Sequence, residues 1–272
     1  MDRYDMIQLI HAAYESSTMP DAKASNAIEE TIELLDKGII RVADKVGENW
    51  QVNEWIKKAI LLYFKVRGMF KMEVGLFEFY DKIPLKKDFE LQKVRVVPPG
   101  MARYGSYLAP GVVLMPGYVN IGAYVDNGTM VDTHATVGSC AQVGKRVHLA
   151  GAARIGGVLE PSQSTPVVIE DDAFIGSAVS VMEGVIVKKE SVLGAGVILT
   201  GSTKILDVSN QDIKEYRGII PERSVVIPGS YRKDFPAGSF NVQCALIIGK
   251  RKESTNKKVT LNQVLRDYNI NV

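Results

Sequence analysis

Residues 113–155 read VLMPGYVNIGAYVDNGTMVDTHATVGSCAQVGKRVHLAGAARI, and the stretch repeats with a period of six. Stepping by six from Val113 meets Val119, Val125, Val131, Val137, Val143, Leu149 and Ile155, a branched aliphatic every time. Four places after each come Gly117, Ala123, Thr129, Ala135, Ala141, Val147, Ala153 and Leu159, which are mostly small. Pro161 to Val168 interrupt the pattern, which resumes with Ile169, Ile175, Val181, Val187, Leu193, Leu199 and Ile205. An α-helix needs a period of about 3.6 and a simple strand about 2.0, and neither produces a step of six. A triangular coil does. Each flat side is one hexad, the aliphatic points inward, and the small residue sits near the corner. Three hexads make a turn of about 18 residues, and turns stack at the strand spacing of ~4.8 Å. The fifteen aliphatics predict five coils, each burying its aliphatics against the next. An ordinary β-sandwich requires no such period.

The flanks read differently. Ile7, Ile10, His11 and Tyr14 fall on one helical stripe, where a histidine serves packing more often than catalysis. Ser25 can cap a second helix carrying Ile28, Ile32 and Leu35, with Gly38 past its end. Ile40, Val42, Trp50 and Val52 alternate about Gly47-Glu48-Asn49, which predicts one small hairpin. Asn53 can cap a third helix whose face is Ile56, Ala59, Ile60, Tyr63 and Phe64. Paired prolines in RVVPPG (95–100) end this region and set an extended entry into the coil. After Asp207 the period fails. Residues 208–219 form a polar excursion, Ser224 to Gly229 a last ragged coil, and Phe240 to Ile248 a closing strand. Thr260 can cap a terminal helix with Leu261, Val264 and Leu265. The predicted division is a mainly helical part over 1–94, the β-coil over 95–230, and a strand and helix over 231–272.

Composition narrows the class. The 272 residues suit one large or two modest domains, and 46% hydrophobic with 24% charged is ordinary for a globular chain. A net charge of +2 argues against a dedicated nucleic-acid binder. The tracts Lys250-Arg251-Lys252 and Lys257-Lys258 read as solvated surface, with a phosphate contact as the alternative. Two cysteines without a CxxC pair indicate a reduced, cytoplasmic protein, and no apolar stretch reaches the ~18 residues of a membrane span. His134 and His148 take different places in their hexads, and His11 is remote, so no metal site is expected. The position after each inward aliphatic points outward; Asn120, Asp126 and Asp132 stand there, and an acid so placed is more often solubilising than catalytic.

The period resembles that of hexapeptide-repeat acyltransferases, which form a left-handed parallel β-helix. More narrowly, RVVPP, MVDTHATVGSC, IGGVLEP, FIG and EGVIV resemble the tetrahydrodipicolinate N-succinyltransferase family over essentially the whole chain. That resemblance implies a mainly β fold, a homotrimer with sites between subunits, and transfer of succinyl from succinyl-CoA to an amino-dicarboxylate in diaminopimelate and lysine biosynthesis. It implies substrate-binding roles for Arg95 and Asp132. A guanidinium can fork a carboxylate, and a carboxylate can draw the proton from an attacking amine. Glu183 is a second candidate acid. Relatives often carry ARSEVVEG where this chain has SAVSVMEG, so Ser180 replaces their first glutamate. They often carry Trp at the place of His134, which argues against an essential His134. For the CoA arm, Gly176, Ser177, Ala195 and Gly196 are candidate groove residues, and Lys204 and Lys250 candidate phosphate contacts; corner glycines needed only by the coil are the alternative. A different acceptor such as a nucleotide sugar would share the coil but not RVVPP or MVDTHATVGSC. A non-catalytic β-helix would show a ladder of one residue type on an outer face, and none is present.

Overall fold

The computed structural model describes residues 1–251. Its N-terminal part is helical: α1 (Arg3–Glu15), α2 (Ala22–Asp36), a hairpin of β1 (Ala43–Val46) and β2 (Asn49–Val52), α3 (Glu54–Val66), and a second hairpin of β3 (Phe70–Val74) and β4 (Phe77–Asp81). That second hairpin departs from the single hairpin expected. The signal was present in the sequence: Phe70, Met72 and Val74 alternate with Lys71 and Glu73, and Phe77 and Phe79 flank Glu78, about the two-residue turn Gly75-Leu76, although the strands remain largely exposed. Two helix details also differ. α2 is capped four residues before Ser25, because the Asp21 side chain accepts from the Ala24 N–H at 2.8 Å and caps the earlier turn. The buried stripe of α1 is Met6, Ile10 and Ala13, leaving Ile7, His11 and Tyr14 half-buried at its margin. The α3 face is as read, with Ile56, Ala59, Ile60 and Tyr63 buried.

From Arg95 the chain winds into a parallel β-helix. Two-residue strands stack in three flat faces. The first face holds Arg95–Val96, Val113–Leu114, Met130–Val131, His148–Leu149, Phe174–Ile175 and Val192–Leu193, each pairing parallel with the next. The second runs from Met101–Ala102 to Ile198–Leu199, and the third from Tyr107–Leu108 to Ile219–Ile220. The second residue of each strand points inward: Val119, Val125, Val131, Val137, Val143, Leu149, Ile175 and Leu193 are all fully buried. Each contributes roughly 1.5–3 kcal/mol of burial.

The phase is corrected at both ends. Val113 points outward and Leu114 fills the inward place, aligned with Val96 below and Val131 above. The step from Leu114 to Val119 is five residues, because the corner at Pro116-Gly117 is one short. The inward positions also continue below the counted repeat, at Val96, Ala102 and Leu108. At the far end Ile205 leaves the coil, pairing with Ala245 and Tyr216, and Ile219–Ile220 take the place above Ile186–Val187. Ser224–Phe235 begins as a rung on Val192–Leu193 and runs on into a long antiparallel hairpin with Gly238–Lys250. The ragged coil and closing strand of the sequence reading are thus one hairpin. The expected helix at Thr260, with Lys252, Lys257 and Lys258, lies outside the described residues.

The helical part is fastened to the coil by buried polar ties. The Arg41 guanidinium lies 3.8 Å from the Tyr124 ring and donates to Gln142 Oε1 at 2.9 Å. Trp50 Nε1 and Lys45 Nζ both meet buried Glu170 at 3.0 Å. Fully buried Lys57 donates to the Ser164 carbonyl at 2.6 Å, pinning the 157–167 loop to α3. Coil corners at Ile121 and Cys140 insert into the helical core.

Candidate active site

Along the edge where the first face turns into the second, corners stack at residues 115–117, 132–134, 150–152, 176–178 and 194–196. A column of backbone bonds joins them: His134 N to Pro116 O at 2.6 Å, Ala152 N to Thr133 O at 2.8 Å, Ala178 N to Gly151 O at 3.0 Å, and Gly196 N to Ser177 O at 3.0 Å. The upper four corners each turn on a left-handed residue, His134, Ala152, Ala178 and Gly196 in succession, whereas the corner at 115–117 has none. Asp132 therefore shares one edge with four of the residues considered for the CoA arm: Gly176, Ser177, Ala195 and Gly196.

Above Asp132 the edge is nearly bare of side chains, carrying Ala150-Gly151-Ala152, Gly176-Ser177-Ala178 and Gly194-Ala195-Gly196 in turn. It rises three rungs, or about 14 Å at the strand spacing. Gly176 is dictated by the coil itself, since a Cβ there would stand 2.6 Å from Leu193 O and 2.8 Å from Ala195 N. Ala195 and Gly196 are exposed, and nothing stands within 4 Å of where a Cβ on Gly196 would lie.

At Asp132, Oδ1 accepts from the Thr133 N–H at 2.6 Å and from Thr133 Oγ1 at 3.2 Å. These bonds leave Oδ2 turned toward His148, whose Nε2 is 3.7 Å away. The imidazole stacks on Phe174, centroids 5.0 Å apart. Burial pushes its pKa below the usual histidine value, opposed by the Asp132 carboxylate. Sequence reasoning set His148 aside because His134 and His148 hold different hexad positions. The signal lay in the full turn: His148 follows Met130 by 18 residues and stacks directly above it. His134 itself faces a hollow of about 260 Å³ at the foot of the edge, beside Pro99, Pro116 and Tyr118.

Arg95 stands on the same face, two rungs below Met130, a separation of about 10 Å. It is exposed. The other three candidates lie elsewhere on this chain. Glu183 is a left-handed corner residue on the next edge, its Oε2 accepting from the Gly201 N–H at 3.0 Å, and it lines a cleft of about 700 Å³ beside the 157–167 loop. Lys204 pairs with Glu215 at 3.5 Å and lies 4.6 Å from the Tyr231 ring. Lys250 Nζ donates to Glu222 O at 2.6 Å and to Ser224 Oγ at 3.3 Å. The larger cleft and the Asp132 edge are different places, and the Asp132 edge is the one that combines an acid, a histidine and approachable backbone.

Neither thiol is built as a nucleophile. Cys140 is wholly buried, and burial lifts its pKa to about 12; Cys244 is buried and shifted the same way. Among the described residues no group of three or more His, Cys, Asp or Glu is placed to hold a metal ion, and no helix is long and apolar enough to cross a membrane.

Comparison with known proteins adds an independent line. The family model for the tetrahydrodipicolinate N-succinyltransferase N-terminal region matches residues 5–66, and that for the hexapeptide repeat of succinyl-transferase matches 166–201. A 2,3,4,5-tetrahydropyridine-2,6-dicarboxylate N-succinyltransferase of Coxiella burnetii is 52% identical over 274 residues, covering 97% of this chain and 99% of the relative. One of Burkholderia cenocepacia is 49% identical, covering 95% and 97%. A Campylobacter jejuni crystal structure described as a 2,3,4,5-tetrahydropyridine-2-carboxylate N-succinyltransferase superposes with a TM-score of 0.56 at 17% identity, over 82% of this chain and 62% of that one. It supports the fold.

Proposed function

Because this chain belongs to the tetrahydrodipicolinate N-succinyltransferase family and is an acyl-CoA-dependent transferase, we infer that it moves a succinyl group from succinyl-CoA to the amine of ring-opened tetrahydrodipicolinate. The step belongs to diaminopimelate and lysine biosynthesis. The structural observation that carries the reading is the single edge on which Asp132 sits beneath corners with almost no side chains. An extended pantetheine arm needs such a track, because backbone unshielded by side chains can be approached closely.

In this reading Arg95 forks one carboxylate of the acceptor while Asp132 receives its amine. The neutral amine nitrogen attacks the thioester carbonyl, the new N–C bond forms, and the C–S bond breaks to release CoA. Transfer is direct. A covalent succinyl-enzyme needs an activated nucleophile, and both thiols are buried and shifted away from the thiolate. Glu183, Lys204 and Lys250 lie off the Asp132 edge, so their proposed roles depend on a neighbouring subunit bringing them to it. A homotrimer with parallel coil axes provides such a neighbour. We place the enzyme in the cytoplasm.

The test is release of CoA thiol on mixing the protein with succinyl-CoA and acceptor, with acetyl-CoA as a parallel donor. Release that requires the acceptor, and intersecting double-reciprocal lines, support the reading. Parallel lines or succinyl trapped on the protein would overturn direct transfer, and absence of succinylated acceptor would overturn the assignment. Light scattering returning the mass of one chain, 29.9 kDa, would overturn the trimer.

A further inference from the structure

We propose that His148 is the positioning partner of Asp132 and takes on the proton that the carboxylate draws from the acceptor amine. The inference deepens the reading above and rests on it. Its ground is geometric. The Asp132 carboxylate cannot turn freely, because Oδ1 is held by the Thr133 N–H and hydroxyl. The free oxygen, Oδ2, is directed at His148 Nε2, 3.7 Å distant. That gap closes with a small shift or one bridging water, and catalytic contacts are commonly long before substrates bind.

The ring is itself fixed. It stands above Met130 and below Phe174 on one face, stacked on the phenyl group at 16° between planes. Neither neighbour carries charge, so Asp132 is the charged group that acts on it among the described residues. Burial lowers its pKa, which keeps the imidazole neutral near pH 7 and able to accept. Its side chain is 38% exposed, so the accepted proton can pass to water.

The proton balance requires such an exit. The acceptor arrives as an ammonium ion, and only the neutral amine attacks. One proton must leave before the N–C bond forms. A second leaves the nitrogen as the amide forms and ends on the departing CoA sulfur. The products are amide, CoA thiol and one proton released to solvent, and the pair Asp132–His148 is the route for that released proton. A carboxylate alone is a weak base for an ammonium group; coupled to a neutral imidazole it can pass the proton on and return to its charged form for the next turnover.

The experiment is a three-way comparison of His148→Gln, His148→Ala and Asp132→Asn in the full chain, with succinyl-CoA and the dicarboxylate acceptor. His148→Gln should lower kcat about 10²-fold, leave the KM for succinyl-CoA unchanged, and remove the acid limb of the kcat/KM profile. Added imidazole should restore His148→Ala several-fold, an effect that a packing role would not give. Full turnover of His148→Gln with an impaired Asp132→Asn overturns the inference and leaves the proposed function standing. Normal activity of both variants overturns the role of Asp132 as well. Loss of activity in His148→Ala without imidazole rescue, together with an unchanged pH profile in His148→Gln, also overturns it.

Discussion

Replacing Asp132 with Asn tests the chemistry with the least disturbance to the coil. The amide oxygen can keep the bonds from Thr133 N and Oγ1 that Oδ1 now accepts, so the corner retains its shape. The nitrogen then replaces Oδ2 and offers hydrogen where the carboxylate offered a lone pair, both to His148 and to the incoming amine. The folded state loses one pairing with a half-exposed imidazole, worth no more than about 1 kcal/mol. The transition state loses its proton acceptor, worth ~10²- to 10⁴-fold in rate, or roughly 3–5 kcal/mol at about 1.4 kcal/mol per decade. The expected outcome is a collapse of kcat with an unchanged thermal midpoint, an unchanged oligomer and a nearly unchanged KM for succinyl-CoA. The donor KM is the informative control, because the small-residue corners above Asp132 are untouched. Thiol release under saturating substrates measures the rate, and light scattering and a thermal melt check the scaffold. Near-normal turnover would refute the assignment of Asp132. A lowered melting point or a dissociated oligomer would refute the claim that the substitution is silent to the fold.

Three further outcomes follow from other parts of the molecule. Arg95→Lys should raise the acceptor KM about tenfold with little change in the melt, because a point charge cannot reproduce a bidentate fork and the residue is exposed; an unchanged acceptor KM removes Arg95 from the site. Ala195→Leu places a branched side chain on an exposed corner of the bare edge and should raise the KM for succinyl-CoA while sparing stability; retained affinity would mean that the corner serves the coil alone. Lys86→Met should cost about 3 kcal/mol in urea unfolding, because Lys86 is buried and pairs at 2.9 Å with Asp36, whose Oδ1 also accepts from the Gly105 N–H at 2.9 Å; an unshifted midpoint would refute that account.

What could be read from the sequence, and what could not, follows from how many constraints act on each residue. Inward positions such as Val131, Leu149 and Leu193 touch only other coil residues, so one size and shape recurs and the hexad is plain. Phase is harder where apolar residues adjoin. Val112, Val113 and Leu114 are all aliphatic; Val112 and Leu114 are both fully buried and Val113 is the one outside, a phase that the short corner at Pro116-Gly117 sets against the step of six. The β3–β4 hairpin was legible and passed over: Phe70, Met72 and Val74, then Phe77 and Phe79, alternate with charged residues about Gly75-Leu76, even though the strands are largely exposed. Asp132 was visible through its motif, but its partner was not. A comparison of hexad positions treats the coil as a line, whereas His148 meets Asp132 through a full turn of the prism.

The same stacking accounts for the dimensions of the proposed site. Distances along a face come in whole rungs, so Arg95 and Met130 are two rungs apart and Asp132 and Gly194 three. The lower interval suits a short dicarboxylate held by its far end, and the upper one suits an extended thioester arm. Between Arg95 and Asp132 lies the five-residue step, the irregular hexad between those two sites. A corner with one residue fewer bulges less, and Gly117 allows it to close down, since a Cβ there would stand 2.7 Å from Ala135 O. Beside that corner lies the hollow of about 260 Å³ lined by Pro99, Pro116, Gly117 and His134, at the foot of the Asp132 edge. The departure from strict periodicity thus falls beside the corner that carries Asp132, where His134, Ala135 and Thr136 line one side of the hollow.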